Sequence, residues 1–127
     1  MSEAITQGIR ITVTPEYLEA HSSPERGQWV FTYHVRIENQ GDSPAQLLSR
    51  HWVITNGRGE TEDVKGPGVV GKTPHLKPGE SFEYQSFCPL DTAVGSMHGT
   101  YHMRRDDGAN FDAVVAPFTL AAPYAFN

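Results

Sequence analysis

Apolar and polar residues alternate along much of this chain, most plainly where Trp29, Phe31, Tyr33, Val35 and Ile37 interleave with Val30, Thr32, His34, Arg36 and Glu38. Neighbouring side chains of a strand point to opposite faces, so this period of two predicts a strand with one buried and one wet face. Ile9, Ile11 and Val13 mark an earlier strand whose Arg10, Thr12 and Thr14 face water, and Pro15 interrupts it as on a sheet edge. Further strands are expected around Leu48, Trp52 and Ile54, which flank Arg50, then at Phe82 and Tyr84, and at Met97, Tyr101 and Met103. A last one runs from about Phe111 to Leu120, with Pro117 marking a bulge or an edge.

Between these runs lie turn-forming clusters, namely Asn39-Gln40-Gly41-Asp42, Asn56-Gly57-Arg58-Gly59, Lys77-Pro78-Gly79-Glu80 and Asp106-Asp107-Gly108. No stretch carries a helical period. Short, regularly spaced strands joined this way predict an all-β sandwich of the immunoglobulin or fibronectin type III kind, with about seven antiparallel strands. Gly99 and Tyr101 fit the tyrosine corner of such sandwiches. A chain of 127 residues has room for one core, so a single domain over 1–127 is expected, its core spanning about 9–120 with loose termini, including the tail from Ala121 to Asn127.

Composition narrows the function classes. Ten basic and fifteen acidic side chains give a net charge of −5, with neither sign gathered into a run. Such a surface repels a phosphate backbone, which speaks against nucleic acid as a partner. The N-terminal residues carry no basic stretch followed by an apolar one, and no apolar run is long enough to span a bilayer, so neither a signal peptide nor a membrane partner is expected. The lone Cys88 excludes an internal disulfide and four-cysteine zinc patterns, and suits a cytoplasmic location.

Several runs keep a shared order and spacing: Ser49-Arg50-His51-Trp52, Val64-Lys65-Gly66-Pro67-Gly68-Val69-Val70-Gly71, Leu76-Lys77-Pro78-Gly79-Glu80, Cys88-Pro89-Leu90 and Met97-His98-Gly99-Thr100-Tyr101-His102-Met103. In these the chain, from about residue 9 to 120, resembles the bacterial ApaG family. The resemblance implies a fibronectin type III-like sandwich, a cytoplasmic bacterial protein, and a link to cobalt resistance and magnesium efflux. It also implies adaptor roles, since related domains occur in eukaryotic F-box proteins and a polymerase-interacting protein. A pyrophosphate site in the family's glycine-rich loop would fall on Gly66, Gly68 and Gly71; Lys72 and Thr73 depart from the family's pattern.

Read as text, residues 66–73 match both a dinucleotide glycine triplet and a P-loop ending Gly71-Lys72-Thr73. Both motifs need a helix after the loop, so that its N-terminus faces the phosphates. Pro74, Pro78 and Gly79 stand where that helix would start, which leaves a glycine turn between strands. Without a helix, consecutive N–H groups of such a turn can still form an anion nest, with Lys72 adding charge, for weak binding of a nucleotide or pyrophosphate.

Six histidines raise a metal question. His98 and His102 share strand parity opposite Met97, Tyr101 and Met103, yet lie about 13 Å apart along a strand, too far to hold one ion between them. His51 could complete a two-histidine site with one of them if its strand lies alongside; solvent-facing histidines are the plainer reading. Cys88 reads as a buried structural thiol, and Glu60, Glu62 and Asp63 as charges on a solvated strand or turn. No catalytic set assembles and no cofactor is indicated. The sequence therefore points to a non-enzymatic interaction module with a protein partner, or to a small-ligand sensor using Gly66, Gly68, Gly71, Lys72 and Thr73 or the histidines; a homodimer through a sheet edge is compatible with either.

Overall fold

A computed structural model describes residues 1–125; Phe126 and Asn127, the end of the expected loose tail, lie outside the described residues. Among the described residues nine strands form two antiparallel sheets: β1 (Ser2–Thr6), β2 (Ile9–Tyr17), β3 (Trp29–Asn39) and β7 (Ser81–Leu90) in one, in the order β1-β2-β3-β7. The other runs β5-β4-β8-β9, from β5 (Thr61–Pro67), β4 (Ala45–Asn56), β8 (Val94–Arg105) and β9 (Asn110–Ala121), with the two-residue β6 (His75–Leu76) pairing with β4. The all-β sandwich is thus borne out. Among the described residues the helical content is two single 3-10 turns, Glu19–His21 and Pro24–Arg26.

In β2 and β3 the predicted Ile9, Ile11, Val13, Phe31, Tyr33, Val35 and Ile37 are all buried, whereas Trp29 is only half-buried at the end of β3 and Thr32, expected to face water, is buried as well. Tyr33, Trp52, Tyr101 and Phe118 meet between the sheets as an edge-to-face aromatic cluster, with Trp52 5.3–6.0 Å from the other three rings. Such tilted pairs add attraction beyond the area they bury.

Four expectations need correction. Among the described residues the strands number nine, not about seven: β1 is too short and polar to signal itself and forms only by pairing Ser2–Thr6 with Ile9–Val13, and the two-residue β6 exists only by pairing with Ala45 and Gln46 of β4. Leu47, not Leu48, is buried in the first half of β4, because a bulge between Leu47 and Ser49 shifts the parity by one residue. Tyr101 makes no tyrosine corner; its hydroxyl bonds the hydroxyl of Tyr84 inside the core. The start of the tail is held: the Ala122 N–H donates to Ala93 O, and Trp29 Nε1 donates to the Tyr124 hydroxyl at 2.8 Å. The expected bulge at Pro117 is present, where β9 passes from Val115 opposite Gly99 to Phe118 opposite Met97. Pro15 sits past Val13, the last residue of β2 that β1 reaches, so β2 is locally an edge there.

The sandwich is asymmetric. On one side β1 and β2 pack on β9, and the Val114 N–H donates to Thr6 Oγ1 at 3.0 Å. On the other, among the described residues, no comparable packing joins β5 to β7, and the gap between these two edge strands opens to solvent.

Candidate functional site

At that open side two adjoining cavities of about 560 and 270 Å³ share Ile54, Glu62 and Pro89. The smaller one reaches between the sheets and is lined by Tyr33, Ser86 and Cys88 from one sheet and Arg50, Trp52, Ile54, Glu62, Val64 and Met97 from the other. Period two explains the set. After the bulge, Arg50, Trp52 and Ile54 share the inward parity of β4, and Glu62, Val64 and Gly66 that of β5.

Arg50 organises this region. Its Nη1 donates to Pro67 O and to Gly68 O, both at 2.9 Å. The guanidinium lies over Gly66, where a Cβ would sit 2.8 Å from Nη2 and 3.0 Å from Cζ, so glycine leaves room for it. Burial raises the Tyr33 phenol, against a hydrogen bond from Ser86 and the positive charge of Arg50, which lower it. Burial likewise pushes the Cys88 thiol up to about 11, helped by the negative charge of Glu62. A thiol held protonated at neutral pH is a poor nucleophile, in keeping with a structural role.

Residues 66–73 form the end of β5 and a tight reversal. Val69 and Lys72 exchange N–H to O bonds of 2.8 and 2.9 Å around Val70 and Gly71, whose φ values of 44° and 78° give a type I′ turn. The Gly68 N–H donates to Leu48 O at 2.8 Å. The segment that follows is β6 and the Pro78-Gly79 turn, with no helix, as Pro74 and Pro78 predict. Three of the loop's N–H groups, those of Gly68, Val69 and Lys72, are therefore spent inside the protein.

His51, His98 and His102 lie on the outer face of the β5-β4-β8-β9 sheet. His51 stands opposite Thr100, between the Ser49–His102 and Val53–His98 pairs, so it is the diagonal neighbour of both other histidines. His51 Nε2 lies 3.0 Å from Asp63 Oδ2, and His102 Nδ1 lies 3.1 Å from Asp112 Oδ1. Among the described residues no three His, Cys, Asp or Glu side chains come together in a way that could hold a metal ion. The strands thus gather His51, His98 and His102 on one face, while two of them turn to carboxylates.

Arg50 was not singled out by sequence reasoning as a site residue. The signal for it is a cation in register with Trp52 and Ile54, at a position where alternation calls for an apolar side chain.

The family described as "ApaG domain" matches residues 19–105, which include Arg50, Trp52 and the whole 66–73 loop. The chain belongs to the ApaG family. Protein ApaG of Anaeromyxobacter dehalogenans strain 2CP-C is 55% identical over 127 residues, covering all of both chains. Protein ApaG of Bordetella pertussis is 50% identical over 115 residues, 91% of this chain and 88% of its own. A crystal structure of a Bordetella pertussis protein described as a putative ApaA protein superposes with a TM-score of 0.89 at 49% identity, covering 91% of this chain and 94% of that one. An Archaeoglobus fulgidus protein, at 10% identity and a TM-score of 0.55, shares the fold alone. The ApaG names state no reaction. No helix among the described residues is long and apolar enough to cross a membrane.

Proposed function

We propose that this ApaG-family chain is a non-enzymatic, cytoplasmic binding module that takes an extended segment of a protein partner along the free edge of β7. The observation that carries this reading is the open side of the sandwich. There a ten-residue edge strand has one side unpaired, and Phe87 on it is 63% exposed. An unpaired edge offers a row of N–H and C=O groups to an incoming strand, and an exposed aromatic beside it adds an apolar anchor. The link to cobalt resistance and magnesium efflux that the family resemblance implies then runs through the partner.

The test is selection of binders from a random displayed-peptide library, followed by mapping on backbone amide shifts. Binding is expected to perturb residues 81–90 and to be lost in Phe87→Lys. Peptides that map to the β1–β9 side, or that bind Phe87→Lys unchanged, refute the reading.

The proximity of His51 to His98 and His102 favours a second reading, a sensor of divalent cations, with the 66–73 loop as its phosphate counterpart. Titration with cobalt and then with pyrophosphate separates the two sites. A sensor is stabilised by about 2.7 kcal/mol when ligand stands at one hundred times its dissociation constant, whereas a pure interaction module is not stabilised at all.

A further inference from the structure

We propose that the 270 Å³ cavity between the sheets is a binding site for a small organic acid, a carboxylate carried on an apolar or planar body. This goes beyond the edge-strand reading and does not depend on it.

The first observation is Trp52. It is 3% exposed and lines the cavity, yet its Nε1–H finds no acceptor among the described residues. An indole nitrogen can only donate, and a buried donor without a partner is a standing cost. Because this nitrogen is itself closed to solvent, a bound acceptor relieves that cost only when the cavity wall gives slightly on binding. Trp29 makes the contrast, since its Nε1–H is satisfied by Tyr124.

The second is Arg50, on the same wall and the same inward parity as Trp52. Two backbone carbonyls fix its Nη1, and among the described residues no carboxylate pairs with it. A guanidinium has five N–H donors in a planar fork, so a clamped Nη1 holds the other donors in a set direction. Arg50 and Trp52 are both donors only, and the ligand must therefore supply acceptor oxygens; a carboxylate, with two, meets a cation and an indole at once. Ile54, Val64 and Met97 give apolar walls for the rest of the molecule. The volume lies just below the range usual for drug-sized ligands, which selects a small acid. Glu62 also lines the cavity, in an exposed position on β5, and its like charge weakens an anion without blocking it.

The test uses the whole chain, nitrogen-labelled, titrated with benzoate, cinnamate and isovalerate, and with benzyl alcohol as a neutral counterpart. The two tryptophans give two indole N–H signals. At least one acid is expected to move the Trp52 signal downfield and saturably, while the Trp29 signal stays in place. Benzyl alcohol should bind about tenfold more weakly or not at all. Arg50→Met should abolish saturation with its amide dispersion intact, and Glu62→Gln should tighten binding. If Arg50→Met does not fold, the neutral counterpart and Glu62→Gln carry the decision. The proposal is overturned if no acid moves the Trp52 signal, or if acid and alcohol act alike. It is also overturned if an exchange peak between the Trp52 N–H and water persists unchanged under every acid, which makes the cavity a water site only.

Discussion

Gly99 lies at the centre of β8, opposite Trp52 of β4. A Cβ built there would overlap the His51 carbonyl oxygen, and would stand 3.1 Å from the His51 carbonyl carbon and 3.2 Å from Trp52 Cα. All three are backbone atoms of a central strand, so no rotamer change relieves the clash and the sheet itself must part. Overpacking ordinarily costs about 1–3 kcal/mol, and a clash with no soft neighbour belongs at or above the upper end. Gly99→Ala is therefore expected to lose about 3 kcal/mol or more, which for a chain of this length lowers Tm by about 12 °C. Two other glycines serve as controls. At Gly66 the obstructing atoms are the far end of the Arg50 side chain, which can move away, and at Gly71 nothing lies within 4 Å but φ is 78°. Each alanine there should cost only about 1 kcal/mol, the one by displacing a guanidinium and the other by left-handed strain. Urea unfolding followed by tryptophan fluorescence reads all three. If Gly99→Ala falls within about 1 kcal/mol of the other two at an unchanged m-value, the backbone-clash argument is wrong.

Three further outcomes follow from the same structure. Val70 is a β-branched residue at φ 44° in a two-residue type I′ turn, so Val70→Asn, which restores the favoured Asn-Gly pair, should stabilise by about 0.5–1 kcal/mol in thermal unfolding; a loss would mean that Val70 serves something other than the turn. Tyr84→Phe leaves the fully buried Tyr101 hydroxyl without its partner and should cost about 1–3 kcal/mol, while the double Phe variant costs less than the sum of the single ones; additive losses would show that the two hydroxyls do not depend on each other. The Cys88 thiol rises from an ordinary value near 9.0 to about 11 on folding, so the unfolded chain releases that proton first. Its contribution is intact below pH 9.0 and is lost as pH climbs through about 11, and Cys88→Ala should flatten that part of the stability profile; identical slopes would remove the thiol from the account.

How much of this was legible in the sequence depends on whether a feature is local. Alternation is a property of consecutive residues, and it determined the two faces of β2 and β3, the buried set from Ile9 to Ile37, and the turns between strands. Proline chemistry was local too: Pro74 and Pro78 excluded a phosphate-facing helix after the glycine loop, and Pro117 marked the bulge in β9. What crosses strands could not be read this way. The bulge after Leu47 depends on the register between β4 and β8, and it decides that Leu47, and not Leu48, is the buried residue. Strand order alone puts Gly66 beneath Arg50, sets His51 between His98 and His102, and leaves one side of the sandwich open. Side-chain parity follows from the covalent geometry of a single strand, whereas the cavity, its unsatisfied indole and its clamped guanidinium exist only because two sheets face each other and fail to close at one edge.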